Sequence, residues 1–185
     1  MPKNKKLWLL VAVSLLGGFL ITRVSLTRSV FTRQGQWTTI AFQNVPLKVQ
    51  FPFLPRHRVE QVSLRGASHT VTQGIFIASD PHGVVYALNV ITYPIGTLIS
   101  DHELMVKAEL ARLMPGAGLV SLASATVSGW EARNFVMQNS ADGTEVQGRI
   151  LKKDDVFYVL SVIYPGGYFP KEAYNRFINS FSYAQ

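Results

Sequence analysis

The stretch GWEARNFVMQNSADGTEVQGRILKKDDVFYVLSVIY, Gly129 to Tyr164, decides the fold. It reads as three strands in succession: Trp130–Asn139, Thr144–Leu151 and Val156–Tyr164. Ser140-Ala141-Asp142-Gly143 and Lys153-Asp154-Asp155 have the composition of turns between them. The third strand is apolar almost throughout, which predicts a strand covered on both faces. A meander of this kind is the core of one antiparallel sheet, and the other elements pair with it or cover it.

Upstream, Thr70–Ser79 and Val84–Tyr93 form a hairpin over Asp80-Pro81-His82-Gly83. Asp first, Pro second and Gly fourth match a type I turn. Trp37–Phe42 is a short β-prone run. Leu47–Phe51 alternates, with Leu47, Val49 and Phe51 on one face, and Pro46, Pro52 and Pro55 around it predict an edge strand. Arg56–Gly66 is charged and irregular and reads as a connection.

Two helices are expected. Ser100–Met114 opens on a Ser100/Glu103 capping box, with Asp101 at the positive end of the helix dipole, and closes at Pro115-Gly116. Its expected apolar stripe is Leu104, Ala108, Ala111, with Leu110 and Met114. Leu119–Val127 then leads as a strand through Ser128-Gly129 into the meander. After Pro165-Gly166-Gly167, Pro170 opens a second helix with Tyr174, Phe177, Ile178 and Phe181 on one face. The whole is an α+β fold: an antiparallel sheet with a helix on each face.

At the N-terminus, lysines precede an apolar run whose anchoring side chains are Leu7, Trp8, Leu9, Leu10, Val11, Leu15, Leu16, Phe19, Leu20 and Ile21. A charged segment followed by an apolar one is the pattern of an export signal. The small residues of a good cleavage site are lacking after it, and Arg23 follows directly. The first reading is therefore an uncleaved signal-anchor (1–22); a cleaved signal and a buried helix are the alternatives. Residues 23–36 form a basic tether and residues 37–185 the domain. The balance of cations around the run leans towards a domain outside the cytoplasm, periplasmic or lumenal.

The formal net charge is +7, but six of the 18 Lys and Arg residues lie in the first 36 residues, where there is no acid. The remainder holds 12 basic and 11 acidic residues, a net +1. A near-neutral domain lacks the concentrated basic surface that phosphate backbones require, so nucleic acid is not the expected partner. With no cysteine, disulfides, thiolate metal sites and lipid-modified cysteine anchors are excluded.

The residues from Trp37 to about Tyr183 resemble the PsbP-like superfamily of α/β/α sandwiches. That group includes extrinsic proteins of photosystem II, a nuclear-import factor that binds the GTPase Ran, and exported bacterial proteins. The likeness is carried by Phe51-Pro52, Gly129-Trp130-Glu131-Ala132-Arg133, Gly148-Arg149 leading to Phe157-Tyr158-Val159-Leu160, and Phe177-Ile178-Asn179-Ser180-Phe181. It implies the fold and a usual role as a non-enzymatic binding or assembly module. No catalytic set comes with it, and no cue points to a photosystem subunit.

Candidate chemistry is sparse. Histidines 57, 69, 82 and 102 are dispersed; Asp80 and His82, two apart in a turn, are the weak metal candidates, although a turn Asp ordinarily serves its own backbone. There is no Gly-x-Ser-x-Gly elbow. Gly116-x-Gly118 follows a helix where a phosphate loop must precede one. Asp154-Asp155 reads as a solvated turn. No cofactor is expected. Aromatics remain: Trp130, Tyr158, Tyr164, Tyr168 and Phe169 are placed to flank a groove at one end of the sheet. Tyr168-Phe169, beside two glycines, has no evident burying partner. Trp130, Tyr164, Tyr168 and Phe169 are thus the candidates for binding a protein partner in the cell envelope; a small-molecule or lipid carrier and, behind it, a metal-dependent hydrolase are the alternatives.

Overall fold

The computed structural model describes residues 37–42, 47–63, 70–94 and 102–183. The strands are β1 (Thr38–Ala41), β2 (Leu47–Phe51), β3 (Arg56–Ser63), β4 (Thr70–Ser79), β5 (Val85–Thr92), β6 (Ala117–Val127), β7 (Trp130–Asn139), β8 (Glu145–Lys153), β9 (Val156–Tyr164) and β10 (Ser182–Tyr183). The helices are α1 (His102–Leu113) and α2 (Lys171–Asn179). The signal-anchor and tether expected over 1–36, and Ser100 and Asp101 of the expected capping box, lie outside the described residues. Among the described residues no helix is long and apolar enough to cross a membrane.

The meander closes where its turn chemistry places it. Val127 pairs with Trp130 across Ser128 and Gly129, both at positive φ, the geometry of a type I′ hairpin. Lys153 pairs with Val156 across Asp154-Asp155. Between β7 and β8, Asn139 Oδ1 accepts from Ala141 N–H (3.0 Å) and Asp142 Oδ1 from Thr144 N–H (2.9 Å). The chain then folds back so that β9 pairs with β5, Leu160 facing Leu88. The result is a seven-stranded antiparallel sheet in the order β3-β4-β5-β9-β8-β7-β6, with β5 and β9 near its middle.

Strict alternation then sorts the side chains into two cores. On one face Tyr86, Leu88, Tyr158, Leu160 and Val162 pack under Phe177 and Ile178 of α2 and under Leu47, Val49 and Phe51 of β2. Phe177 is fully buried and meets Phe51 and Tyr86 edge to face, at 5.1 and 5.6 Å between ring centroids. On the other face Ile91, Phe135, Ile150, Phe157 and Val159 pack under Val106 and Leu110 of α1 and Met114 just past its end. A helix covers each face, as the apolar third strand required.

Three expectations are corrected. The segment read as a connection is strand β3: it pairs with β4 from Arg56↔Ile77 to Ser63↔Thr70. Its charges belong to a sheet edge, where they discourage pairing with another chain; Arg58 and Glu60 form an ion pair there at 3.4 Å. Strand β2 is not an edge. It lies in the middle of a second, three-stranded sheet, β1-β2-β10. Pro52 lies just past its last residue, and the two-residue β10 is too short to leave a signal. In α1 the inward face is Val106, Glu109 and Leu110, continued by Met114 just past the helix, whereas Leu104 is 64% exposed and Ala108 and Ala111 are exposed.

Burial sets the alkaline limit of this fold. Desolvation, the largest cause in each case, pushes the phenols of Tyr86 and Tyr158 up to about 12 from an ordinary 10 and raises those of Tyr93, Tyr164 and Tyr174. The unfolded chain therefore loses these protons at lower pH than the folded chain does. The stability they contribute is complete below about pH 10 and falls as pH rises towards 12. Urea midpoints measured across pH 9 to 12 should drop steadily above 10, with tyrosinate absorbance lagging that of the unfolded chain. A flat midpoint across that window would refute it.

Candidate functional site

The loop after β9 carries two adjacent aromatics, Tyr168 and Phe169, to the surface. Tyr164 ends the strand at 1% exposure. Its hydroxyl donates to Glu145 Oε2 (3.0 Å) and accepts from Gln147 Nε2 (2.5 Å). The chain then turns: Tyr168 N–H donates to the Pro165 carbonyl at 3.1 Å, with Gly167 at φ +82°. Gly166 lies so close to the Gly143 carbonyl that a Cβ there would overlap it, which ties this loop to the β7–β8 turn. Phe169 packs on the rings of Tyr164 (5.4 Å) and Tyr174 (5.2 Å), so it has the partner the sequence did not reveal. Tyr168 is 50% exposed and Phe169 41%. Beside them opens a shallow cleft lined by Trp37, Tyr168, Pro170, Lys171 and Arg176. There the Arg176 guanidinium lies over the Trp37 ring at 4.6 Å and Nε donates to Gln50 Oε1 at 3.1 Å.

The five aromatics do not flank one groove. Trp130 pairs with Val127, and Ala132 ↔ Leu151 ↔ Tyr158 places it at the β9 start. Tyr164 lies at the other end of β9, eight residues beyond Val156 and roughly 27 Å away at about 3.4 Å per residue. Trp130 instead caps the first core, against Tyr158 (6.0 Å), Phe181 (6.1 Å) and Tyr183 (4.6 Å), with Lys153 Nζ 5.4 Å from its ring centre. Tyr158 and Tyr164 are core residues. Of the aromatic candidates, Tyr168 and Phe169 reach the surface together.

Asp80 and His82 sit in the β4–β5 turn. Asp80 Oδ1 accepts from the N–H groups of His82 (2.8 Å) and Val84 (2.9 Å), so the turn itself uses the carboxylate, while the His82 side chain is in solvent. Among the described residues no group of three or more His, Cys, Asp or Glu gathers as metal ligands would.

A polar groove, which no sequence motif marks, opens beside α2. On the face that α2 covers, the sheet is wider than its cover, and α2 walls off only part of the β6–β7–β8 end. The floor is two cross-strand rows: Ala123, Asn134 and Arg149, then Ser121, Val136 and Gln147. Tyr174, Asn175, Ile178 and Asn179 of α2 form the wall of a cavity of about 320 Å³. Arg149 Nε donates to Asn134 Oδ1 at 2.8 Å, and Nη1 reaches Asn179 Oδ1 at 3.5 Å. The strand pattern carried one signal: Gln147 and Arg149 share a face with buried Leu151.

An antiparallel sheet with α1 on one face and α2 with a small sheet on the other is an α/β/α sandwich. No family model matches the chain, and no curated protein does. Solved structures do. The solution structure of cyanobacterial PsbP (CyanoP) from Synechocystis sp. PCC 6803 matches with a TM-score of 0.53 at 10% identity, over 86% of this chain and 99% of that one. A crystal structure from Bacteroides thetaiotaomicron VPI-5482 matches with a TM-score of 0.43 at 13% identity, over 83% of this chain and 50% of that one. The chain has a PsbP-like fold.

Proposed function

We propose that this chain is a non-enzymatic, extracytoplasmic module, tethered by its N-terminal apolar run, that binds a protein partner in the cell envelope. The observation that carries the reading is the exposure of Tyr168 and Phe169 on a loop pinned at both ends. Adjacent exposed aromatics on a rigid support lose little conformational entropy on binding and bury much area, as anchors of protein interfaces do. The near-neutral charge of residues 37–185 and the turn-bound Asp80 support binding of a protein over nucleic acid or metal chemistry.

The test uses the full chain in its own membranes. After mild detergent extraction and cross-linking, the wild type should bring down a stoichiometric partner, and Tyr168→Ala should lose at least tenfold of it. Tyr168 has no ring contact among the described residues, so the unfolding midpoint should stay put. Phe169→Ala should also weaken recovery, but it loosens the packing on Tyr164 and Tyr174 and is the less clean probe. Recovery of the wild-type protein alone, or equal recovery with Tyr168→Ala, overturns the reading.

A further inference from the structure

We infer that the groove between α2 and the β7–β8 floor binds a small organic monocarboxylate, its carboxylate held by the guanidinium of Arg149. This site is separate from the Tyr168–Phe169 surface and does not depend on that reading.

Arg149 lacks what other arginines of the domain have. Arg58, Arg112 and Arg133 each have a carboxylate partner, at 3.4, 2.8 and 2.8 Å. Arg149 sits half-buried mid-strand, and among the described residues its side-chain partners are neutral amide oxygens. One of those contacts is long, and Nη2 has no protein acceptor among the described residues. A half-buried guanidinium that faces a cavity, with no acidic side chain beside it among the described residues, offers a charged donor edge to an incoming anion. Burial also pushes this guanidinium below its ordinary value, the sign of a charge held out of water.

The groove's chemistry then narrows the class. A single planar cation with a free edge matches one carboxylate, in a bidentate fork. Among the described residues no second basic side chain lines the cavity, as a phosphate dianion would want. Val136 gives an apolar patch for a hydrocarbon body, while the amides of Asn175 and Asn179 lie at the rim. The volume of about 320 Å³ is at the lower end for small-molecule sites, roughly 300–1,000 Å³.

Benzoate is a suitable probe, with benzamide as its neutral isostere and phenyl phosphate as the dianionic control. In the full chain in detergent, titration of benzoate should move the Arg149 side-chain Nε–Hε resonance and the Asn179 amide saturably. Benzamide and phenyl phosphate should bind at least tenfold more weakly. Arg149→Gln should reduce benzoate affinity at least tenfold, and Arg149→Lys should recover only part of it. The wild-type resonances give the answer even if a variant folds poorly. The inference is overturned if benzoate leaves the Arg149 resonance unmoved, if benzamide binds equally well, or if folded Arg149→Gln binds benzoate as tightly as the wild type.

Discussion

Gly148→Ala is expected to cost about 4 kcal/mol or more and to leave much of the chain unfolded. Gly148 lies in β8 with Phe135 opposite on β7 and Ser161 opposite on β9. A Cβ built there would overlap the Leu160 carbonyl oxygen and come within 2.6 Å of Phe135 Cζ. The ring is 1% exposed and enclosed by the second core, so it cannot swing away freely. The carbonyl belongs to the β8–β9 ladder at the centre of the sheet, so making room means separating two strands. Domains of this size are stable by about 5–15 kcal/mol, and such a loss consumes much of that. A double variant separates the two obstacles. Phe135→Ala removes the ring at about 3–5 kcal/mol of its own but leaves the carbonyl, so Gly148→Ala/Phe135→Ala should be no more stable than Gly148→Ala. Urea unfolding followed by circular dichroism measures both. A Gly148→Ala midpoint within about 1 kcal/mol of wild type would refute the close-approach argument.

What the sequence shows of this architecture follows from where its physics is local. The meander is legible because alternation and turn residues both act over a few positions: Ser128-Gly129 and Asp154-Asp155 mark hairpins wherever they fall. Strand β3 is hidden because Arg56, His57, Arg58 and Glu60 suit a sheet edge as well as a loop, and only the partner strand β4 decides. The inward face of α1 is misread for a related reason. Glu109 lies in the core-facing row with Arg112 to neutralise it, while Leu104 lies on the exposed side.

The candidate surface divides the same way. Exposure of Tyr168 was readable, because a Pro-Gly-Gly turn offers nothing to bury it. The separation of Trp130 from Tyr164 was not, because it depends on register through three strand pairs. Arg149 was the least accessible. A charged residue in a strand ordinarily means a solvent-facing row, and the floor of a groove looks identical until the width of the sheet is set against the nine residues of α2. That Arg149 lacks an acidic partner among the described residues is a property of the fold and not of any stretch of sequence.

Arg112→Ala is expected to destabilise the domain by about 3–5 kcal/mol, the cost of leaving a buried charge with too few partners. Glu109 is 4% exposed and sits in the face of α1 that contains Val106 and Leu110. Arg112 Nε and Nη2 donate to its Oε2 at 3.0 and 2.8 Å, and Tyr93 Oη donates to Oε1. The same guanidinium reaches Gln73 Oε1 with Nη1 at 2.8 Å, and Gln73 Nε2 donates to Asn89 Oδ1 at 2.8 Å. One side chain thus neutralises the carboxylate and starts a polar chain from α1 across β4 to β5. Without it, Glu109 retains the Tyr93 hydroxyl, and Gln73 loses an amide partner. The same helix supplies a control. Lys107 and Glu103 are closer, at 2.6 Å, but about half exposed, so water already solvates them and Lys107→Ala should cost about 0.3–0.5 kcal/mol. Replacing both buried partners, Glu109→Leu with Arg112→Leu, should recover at least half of the Arg112→Ala loss, because no unpaired charge remains. Urea midpoints of the four proteins decide it: equal losses for Arg112→Ala and Lys107→Ala would mean that burial is not what gives this network its weight.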